Sequence, residues 1–171
     1  MSEEKIILNL LLINKKVMPK VKIPQKDLTK EAPRSPHTRL GGFVILARAI
    51  DKCRATLARE NGEYEFNCPL DSMLFSFKDV KGDDFKKFVA TGASDEEIVK
   101  WVKKNGAPKS SVEIKRWSDT TEKENYENET EDKKWLEAQN KKLGLPKDGT
   151  LFDYLDADDK ASFSGGSNVC L

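Results

Sequence analysis

The residues best placed to do chemistry lie between positions 34 and 71. Arg34 and Arg39 flank Ser35-Pro36-His37-Thr38, and Asp51 and Arg54 stand three residues apart in Ala47-Arg48-Ala49-Ile50-Asp51-Lys52-Cys53-Arg54. Projected at about 100° per residue, Phe43, Leu46, Ala47, Ile50, Cys53 and Leu57 share one apolar helix face, and Arg54 falls inside it. Asp51 lies at the edge of that face, within reach of Arg54 or Arg48, whereas Arg48 and Lys52 point away. Guanidinium groups pair bidentately with carboxylate or phosphate, and a helix N-terminus adds free N–H donors. Arg34, Arg39, Asp51 and Arg54 are therefore expected to line an anion-binding surface. The competing reading is a semi-buried Asp–Arg pair whose arginine stem covers apolar surface while its head ties down a loop.

A second candidate lies in Asn67-Cys68-Pro69-Leu70-Asp71, where a thiol stands near a carboxylate. A nucleophilic thiolate needs a cationic or imidazole neighbour, and the local sequence supplies none, so Cys68 and Asp71 read either as part of a small site or as buried structure. Cys53, on the apolar face, reads as an inert core thiol. The three cysteines are odd in number and lack C-x-x-C spacing, which argues against a disulfide framework or a zinc knuckle. His37 is the single histidine and reads as an exposed first-turn residue. Asp153, Asp156, Asp158 and Asp159 cluster, yet no glutamate closes a calcium loop, so they read as an exposed acidic helix end. No phosphate-binding glycine loop, nucleophile elbow or H-E-x-x-H occurs. No metal or cofactor is implied.

These residues need a scaffold, and 171 residues suffice for one core, since a domain of that size buries roughly 70% of its unfolded surface. Hydrophobic residues make up 37% and charged ones 35%, the balance of a soluble globular protein. Net charge is +1, but residues 1–60 carry +7 and the remainder −6. Mutual attraction of the two parts within one fold explains this better than a nucleic-acid surface. The run Ile6-Ile7-Leu8-Asn9-Leu10-Leu11-Leu12-Ile13 is shorter than the roughly 20 residues a membrane span needs, and its acidic lead is wrong for a secretory signal. A cytoplasmic location with no membrane association is expected. Translation from Met1 and from Met18 are both compatible with the hydrophilic stretch that follows Met18.

The expected fold is mostly α: a compact single-domain helical fold with one short extended segment. Ser35 and Pro36 suit a helix start, which predicts a main helix over 36–58 that stops before Asn61-Gly62. Gly41 and Gly42 inside it would cost roughly 1 kcal/mol each, so they imply either close approach of another backbone or a ligand, or a helix cap that starts later, near residue 42. Glu63-Tyr64-Glu65-Phe66-Asn67 alternates as a short strand would. A helical hairpin follows at 83–90 and 96–104, with capping boxes beginning at Ser94 and Ser110. The stretch 118–134 reads as a solvated helix end and loop, and Thr150 starts a last helix. Residues 1–26 read as an extension of uncertain status, 27–163 as one helical domain and 164–171 as a flexible tail.

Ala32-Pro33-Arg34-Ser35-Pro36, Arg39-Leu40-Gly41-Gly42 and Asp51-Lys52-Cys53-Arg54-Ala55 resemble an uncharacterised bacterial family known as domain of unknown function 5069. So do Asn67-Cys68-Pro69-Leu70-Asp71, Trp117-Ser118 and Phe152-Asp153-Tyr154-Leu155-Asp156. The resemblance implies a single cytoplasmic-type domain and carries no activity with it. The residues themselves point first to a small domain that binds an anionic ligand or a protein partner through Arg34, Arg39, Asp51, Arg54, Cys68 and Asp71. A small enzyme using Asp51 or Cys68 beside Arg34, Arg39 and Arg54, and a protein-interaction domain, are the alternatives.

Overall fold

The computed structural model describes residues 25–126 and 130–164. Among the described residues seven helices follow one another: α1 (Leu46–Ala58), α2 (Pro69–Lys78), α3 (Gly82–Val89), α4 (Asp95–Lys104), α5 (Ser111–Thr121), α6 (Glu131–Lys142) and α7 (Leu151–Phe163). Most of the extension expected at 1–26 and all of the tail beyond Ser164 lie outside the described residues.

The fold is mostly helical, as its sequence predicts, but the main helix begins ten residues later than Ser35-Pro36 suggests. Ser35 caps only a turn, its Oγ accepting from the His37 N–H and donating to Asp156. The two glycines then reverse the chain outside any helix. Gly41 (φ +62°) and Gly42 (φ +96°) are the central residues of a two-residue turn, across which Leu40 and Phe43 exchange both backbone hydrogen bonds at 3.0 and 3.1 Å. Positive φ at both centres is what such a turn demands, which explains a glycine pair that no helix would favour. Ile45 (φ 68°) makes a second, tighter turn in which the Leu46 N–H reaches the Val44 carbonyl at 2.7 Å, and α1 starts from there.

The expected extended segment does not form a strand. Residues 62–63 and 66–67 are turns, the aromatics between and within them serve separate neighbours, and among the described residues no second strand offers a ladder. Tyr64 stacks on Phe163, while Phe66 packs against Phe75 and Phe85.

From Leu46 to Ala55 every residue of α1 is buried. Leu46, Ile50 and Cys53 face a core completed by Leu74 and Phe75 of α2, Phe85 and Val89 of α3, Ile98 and Val102 of α4, Ile114 of α5 and Phe152 of α7. Leu57, assigned to the apolar face from spacing, is 39% exposed. Both expected capping boxes form, Ser94 with Glu97 and Ser110 with Glu113. The hairpin α3–α4 closes with Phe88 stacked on Trp101. Ser118, expected in a solvated stretch, is instead fully buried: its hydroxyl donates to the Gly42 carbonyl and accepts from the Val44 N–H, tying α5 to the glycine turn.

A Cβ on Gly41 would lie 2.4 Å from Val99 Cγ1, in a backbone conformation that L-residues rarely adopt. Gly41→Ala should therefore destabilise the protein by about 1–3 kcal/mol, read as a lower midpoint in chemical denaturation. An unchanged midpoint would mean that the turn does not hold this shape.

Candidate functional site: the ion-paired face of α1

A helix buried on all sides must neutralise every charge it carries, since an unpaired ion in a low-dielectric interior costs several kcal/mol. α1 carries Arg48, Asp51, Lys52 and Arg54, all at most 5% exposed. Each is met by an opposite charge from elsewhere in the chain.

Asp51 pairs with Arg34, not with Arg54 or Arg48 as helix spacing suggests. Its carboxylate accepts from the Arg34 backbone N–H at 2.8 Å and from the guanidinium Nε and Nη2 at 2.8–3.1 Å. Arg34 Nη1 continues to Asp95 at 2.6 Å, and Asp95 also accepts from Arg54 Nη1 at 2.8 Å. Arg54 Nη2 donates to the Ala93 carbonyl, leaving Nε buried with no hydrogen-bond partner among the described residues. The two arginines and two aspartates form a neutral chain along an open recess of about 500 Å³. Asp95 is the first residue of α4, so the anion these arginines meet at a helix N-terminus is one the chain supplies itself. Burial opposes its ionisation, but the hydrogen bonds and charges of Arg34 and Arg54 more than offset this and hold it below the ordinary carboxylate range.

Arg39 is elsewhere, paired with Asp119 and Glu122 at the end of α5. His37, in a turn rather than a helix, lies 3.5 Å from Glu122 and 3.7 Å from Asp153, edge-on to Phe152. Arg48 and Lys52 do point away from the side of α1 that carries Arg54, but they are buried there. Arg48 makes two hydrogen bonds to Asp159, at 2.6 and 3.2 Å, and lies over the Tyr64 ring, whose hydroxyl donates to the same carboxylate at 2.8 Å. Burial and the neighbouring Asp159 carboxylate push the Tyr64 phenol up, so it stays a donor.

Lys52 Nζ sits 2.9 Å from Asp71 Oδ1 and 3.1 Å from Cys68 Sγ. The contact with Asp71 is a charge contact without the alignment of a hydrogen bond, and Oδ1 has no other partner. Oδ2 accepts from the Asn67 N–H at 2.9 Å. Asp71 is fully buried in the first turn of α2, and burial raises its carboxyl above the ordinary value even though Lys52 opposes this. The cation that the local sequence denies to Cys68 thus arrives from sixteen residues upstream. Cys53, by contrast, is fully buried, which pushes its thiol up to about 12.

Cys68, Lys52, Arg48, Tyr64 and Asp159 all open on a cleft of about 640 Å³ between α1, the start of α2 and α7, walled by Leu28, Leu70, Leu155 and Phe163. Three carboxylates, Glu63, Glu65 and Asp158, stand on its lining. The six residues singled out by sequence therefore divide three ways. Arg34, Asp51 and Arg54 share a recess, Arg39 is on α5's side, and Cys68 stands at the cleft with Asp71 beneath it. Sequence reading missed Arg48, Lys52, Tyr64, Asp95 and Asp159. The available signal was the alanines at 47, 49 and 55, which let neighbours approach α1 between its charges.

Among the described residues, no group of three or more His, Cys, Asp or Glu is placed to hold a metal ion, and no helix is long and apolar enough to cross a membrane. Of the acidic cluster, Asp153 closes a capping box with Thr150, Asp156 accepts from Ser35 and Asp159 serves Arg48. The architecture is that of an all-helical domain wrapped around an ion-paired central helix. The family model described as Domain of unknown function (DUF5069) matches residues 30–161, and the chain belongs to that family. No curated protein matches it.

Two outcomes follow for the ion pairs. Asp159→Ala leaves Arg48 buried and unpaired and should cost about 3–5 kcal/mol in denaturation, as breaking a buried pair does; a loss below about 1 kcal/mol would show that water reaches Arg48. Because Asp95 has a lowered value in the fold, its contribution is fully present above the unfolded value of about 3.9 and is lost as pH falls through the lowered one. Asp95→Asn should accordingly lower the melting temperature at pH 7 and flatten the acid limb of the stability profile. A parallel shift at every pH would separate Asp95 from that limb.

Proposed function

We propose that this chain is a cytoplasmic ligand-binding domain whose site is the cleft beside Cys68. The observation that carries the reading is the buried Lys52 ammonium, seated between a buried carboxylate and a half-buried thiol at the base of a recess of about 640 Å³. That volume is typical of small-molecule sites, which combine apolar walls with a few fixed polar groups. The cations at the base are already matched by Asp71 and Asp159, and the lining adds Glu63, Glu65 and Asp158. This balance favours a neutral or cationic molecule with an apolar body over a small anion.

The test is a thermal-shift panel of primary amines, amides, carboxylates and inorganic phosphate, read beside iodoacetamide labelling of Cys68. A binder from the amine or amide group should raise the melting temperature and protect Cys68 from labelling, and Leu155→Trp, which fills the cleft, should abolish both effects. No shift across the panel, or a shift that leaves labelling of Cys68 unchanged, would count against the cleft.

One observation favours a second reading, in which a small anion binds at Arg34 and Arg54: the Arg54 Nε is buried without a hydrogen-bond partner beside the other recess. Here phosphate or a carboxylate should raise the melting temperature, and Arg54→Ala should remove the rise.

A further inference from the structure

We propose that Lys52 and Cys68 form an oxidation site, in which a small hydroperoxide converts Cys68 to a sulfenic acid and the Lys52 amine then closes a reversible sulfur–nitrogen link. The proposal is independent of what the cleft binds.

Three features carry it. The nucleophile and the amine are already adjacent, with Nζ 3.1 Å from Sγ, so closing the link requires a movement smaller than that separation. Access is one-sided: Cys68 is half-buried and opens on the cleft, whereas Lys52 is 3% exposed, so a hydroperoxide reaches the sulfur and little water competes with the amine behind it. Cys68 is also the N-cap of α2, so its sulfur stands at the positive end of that helix as well as beside the Lys52 ammonium.

The chemistry balances with one oxidant of a stated class. Sulfur attacks the hydroperoxide, the O–O bond breaks, and the Cys68 thiol becomes –SOH with release of water when the oxidant is hydrogen peroxide. Attack by Lys52 needs its free amine, and the proton has a destination: Asp71 Oδ1, 2.9 Å away and otherwise unpartnered. Burial already makes that carboxyl easier to protonate than an ordinary aspartate, with Lys52 the chief opposing influence. The amine displaces hydroxide from the sulfenyl sulfur, forming S–N, and the hydroxide leaves as water with the proton shed by nitrogen. The sum is loss of two hydrogens from the protein. An external thiol reverses the step by attacking sulfur and returning the amine.

The experiment treats the full chain with hydrogen peroxide and follows intact mass, then maps peptides by tandem mass spectrometry without reduction. Expected are a mass lower by two hydrogens, a cross-linked peptide pair joining Lys52 to Cys68, and its separation by dithiothreitol. Cys170→Ser, which removes the third cysteine of the sequence, should leave the link intact, and Lys52→Arg should instead accumulate a dimedone-reactive sulfenic acid at Cys68. The proposal is overturned if the unsubstituted chain shows Cys68 unmodified, stopped at sulfenic or sulfinic acid, or joined to another cysteine rather than to Lys52. Because the link is read directly in the unsubstituted chain, its presence or absence decides the matter even if Lys52→Arg fails to fold.

Discussion

The fold depends on one constraint: its central helix is buried from Leu46 to Ala55 and carries four charged side chains within that span. An ordinary surface helix turns such residues to water and buries one stripe. α1 has no water to turn to, so its neighbours must bring opposite charge. Arg34 arrives from the lead segment, Asp71 from α2, Asp95 from α4 and Asp159 from α7. The positions of four separate segments are thereby coupled to one helix through interactions that are directional as well as strong. Apolar packing alone would tolerate small slides of these elements. A guanidinium shared between two carboxylates does not.

The same constraint divides the surface of α1 into two chemically different sides. Around Arg34 and Arg54 the ion network is extended and shared, and it serves to fix α4 against the lead segment. On the other side each cation has its own carboxylate, Arg48 with Asp159 and Lys52 with Asp71, and the pairs sit at the base of a cleft. Buried charge costs least where it is fully matched, and each side of α1 leaves one buried atom without a hydrogen bond, Arg54 Nε on the first and Asp71 Oδ1 on the second. What distinguishes the second side is the Cys68 thiol that stands there at the cleft beside Lys52.

Much of this was legible in the residues. The helical class, both capping boxes, the last helix at Thr150 and the oddity of Arg54 in an apolar arc all follow from local patterning, because capping and periodicity are local physics. The attraction between a basic first part and an acidic remainder also has its counterpart in the pairing of Arg39, Arg48, Lys52 and Arg54 with carboxylates beyond residue 60. What periodicity could not give was the far side of α1. A polar face and a buried face full of ion pairs look identical in sequence, since the difference lies in partners up to 111 residues away. The helix start at Ser35-Pro36 misled for a related reason. Ser35-Pro36 is a sound helix start in isolation, and only the contacts of Ser118 with Gly42 and Val44 reveal that the chain turns there instead.

The link between Arg48 and Asp159 bears on how the protein is made. During synthesis α1 leaves the ribosome early, and the carboxylate that will neutralise Arg48 is still untranslated until α7 emerges. Until then the helix can collapse onto α2 and α3 but cannot bury its Arg48 side without stranding a cation. Arg48 and Asp159, 111 residues apart, thus join the first and the last of the described helices, and a chain without α7 has no carboxylate to set against that cation.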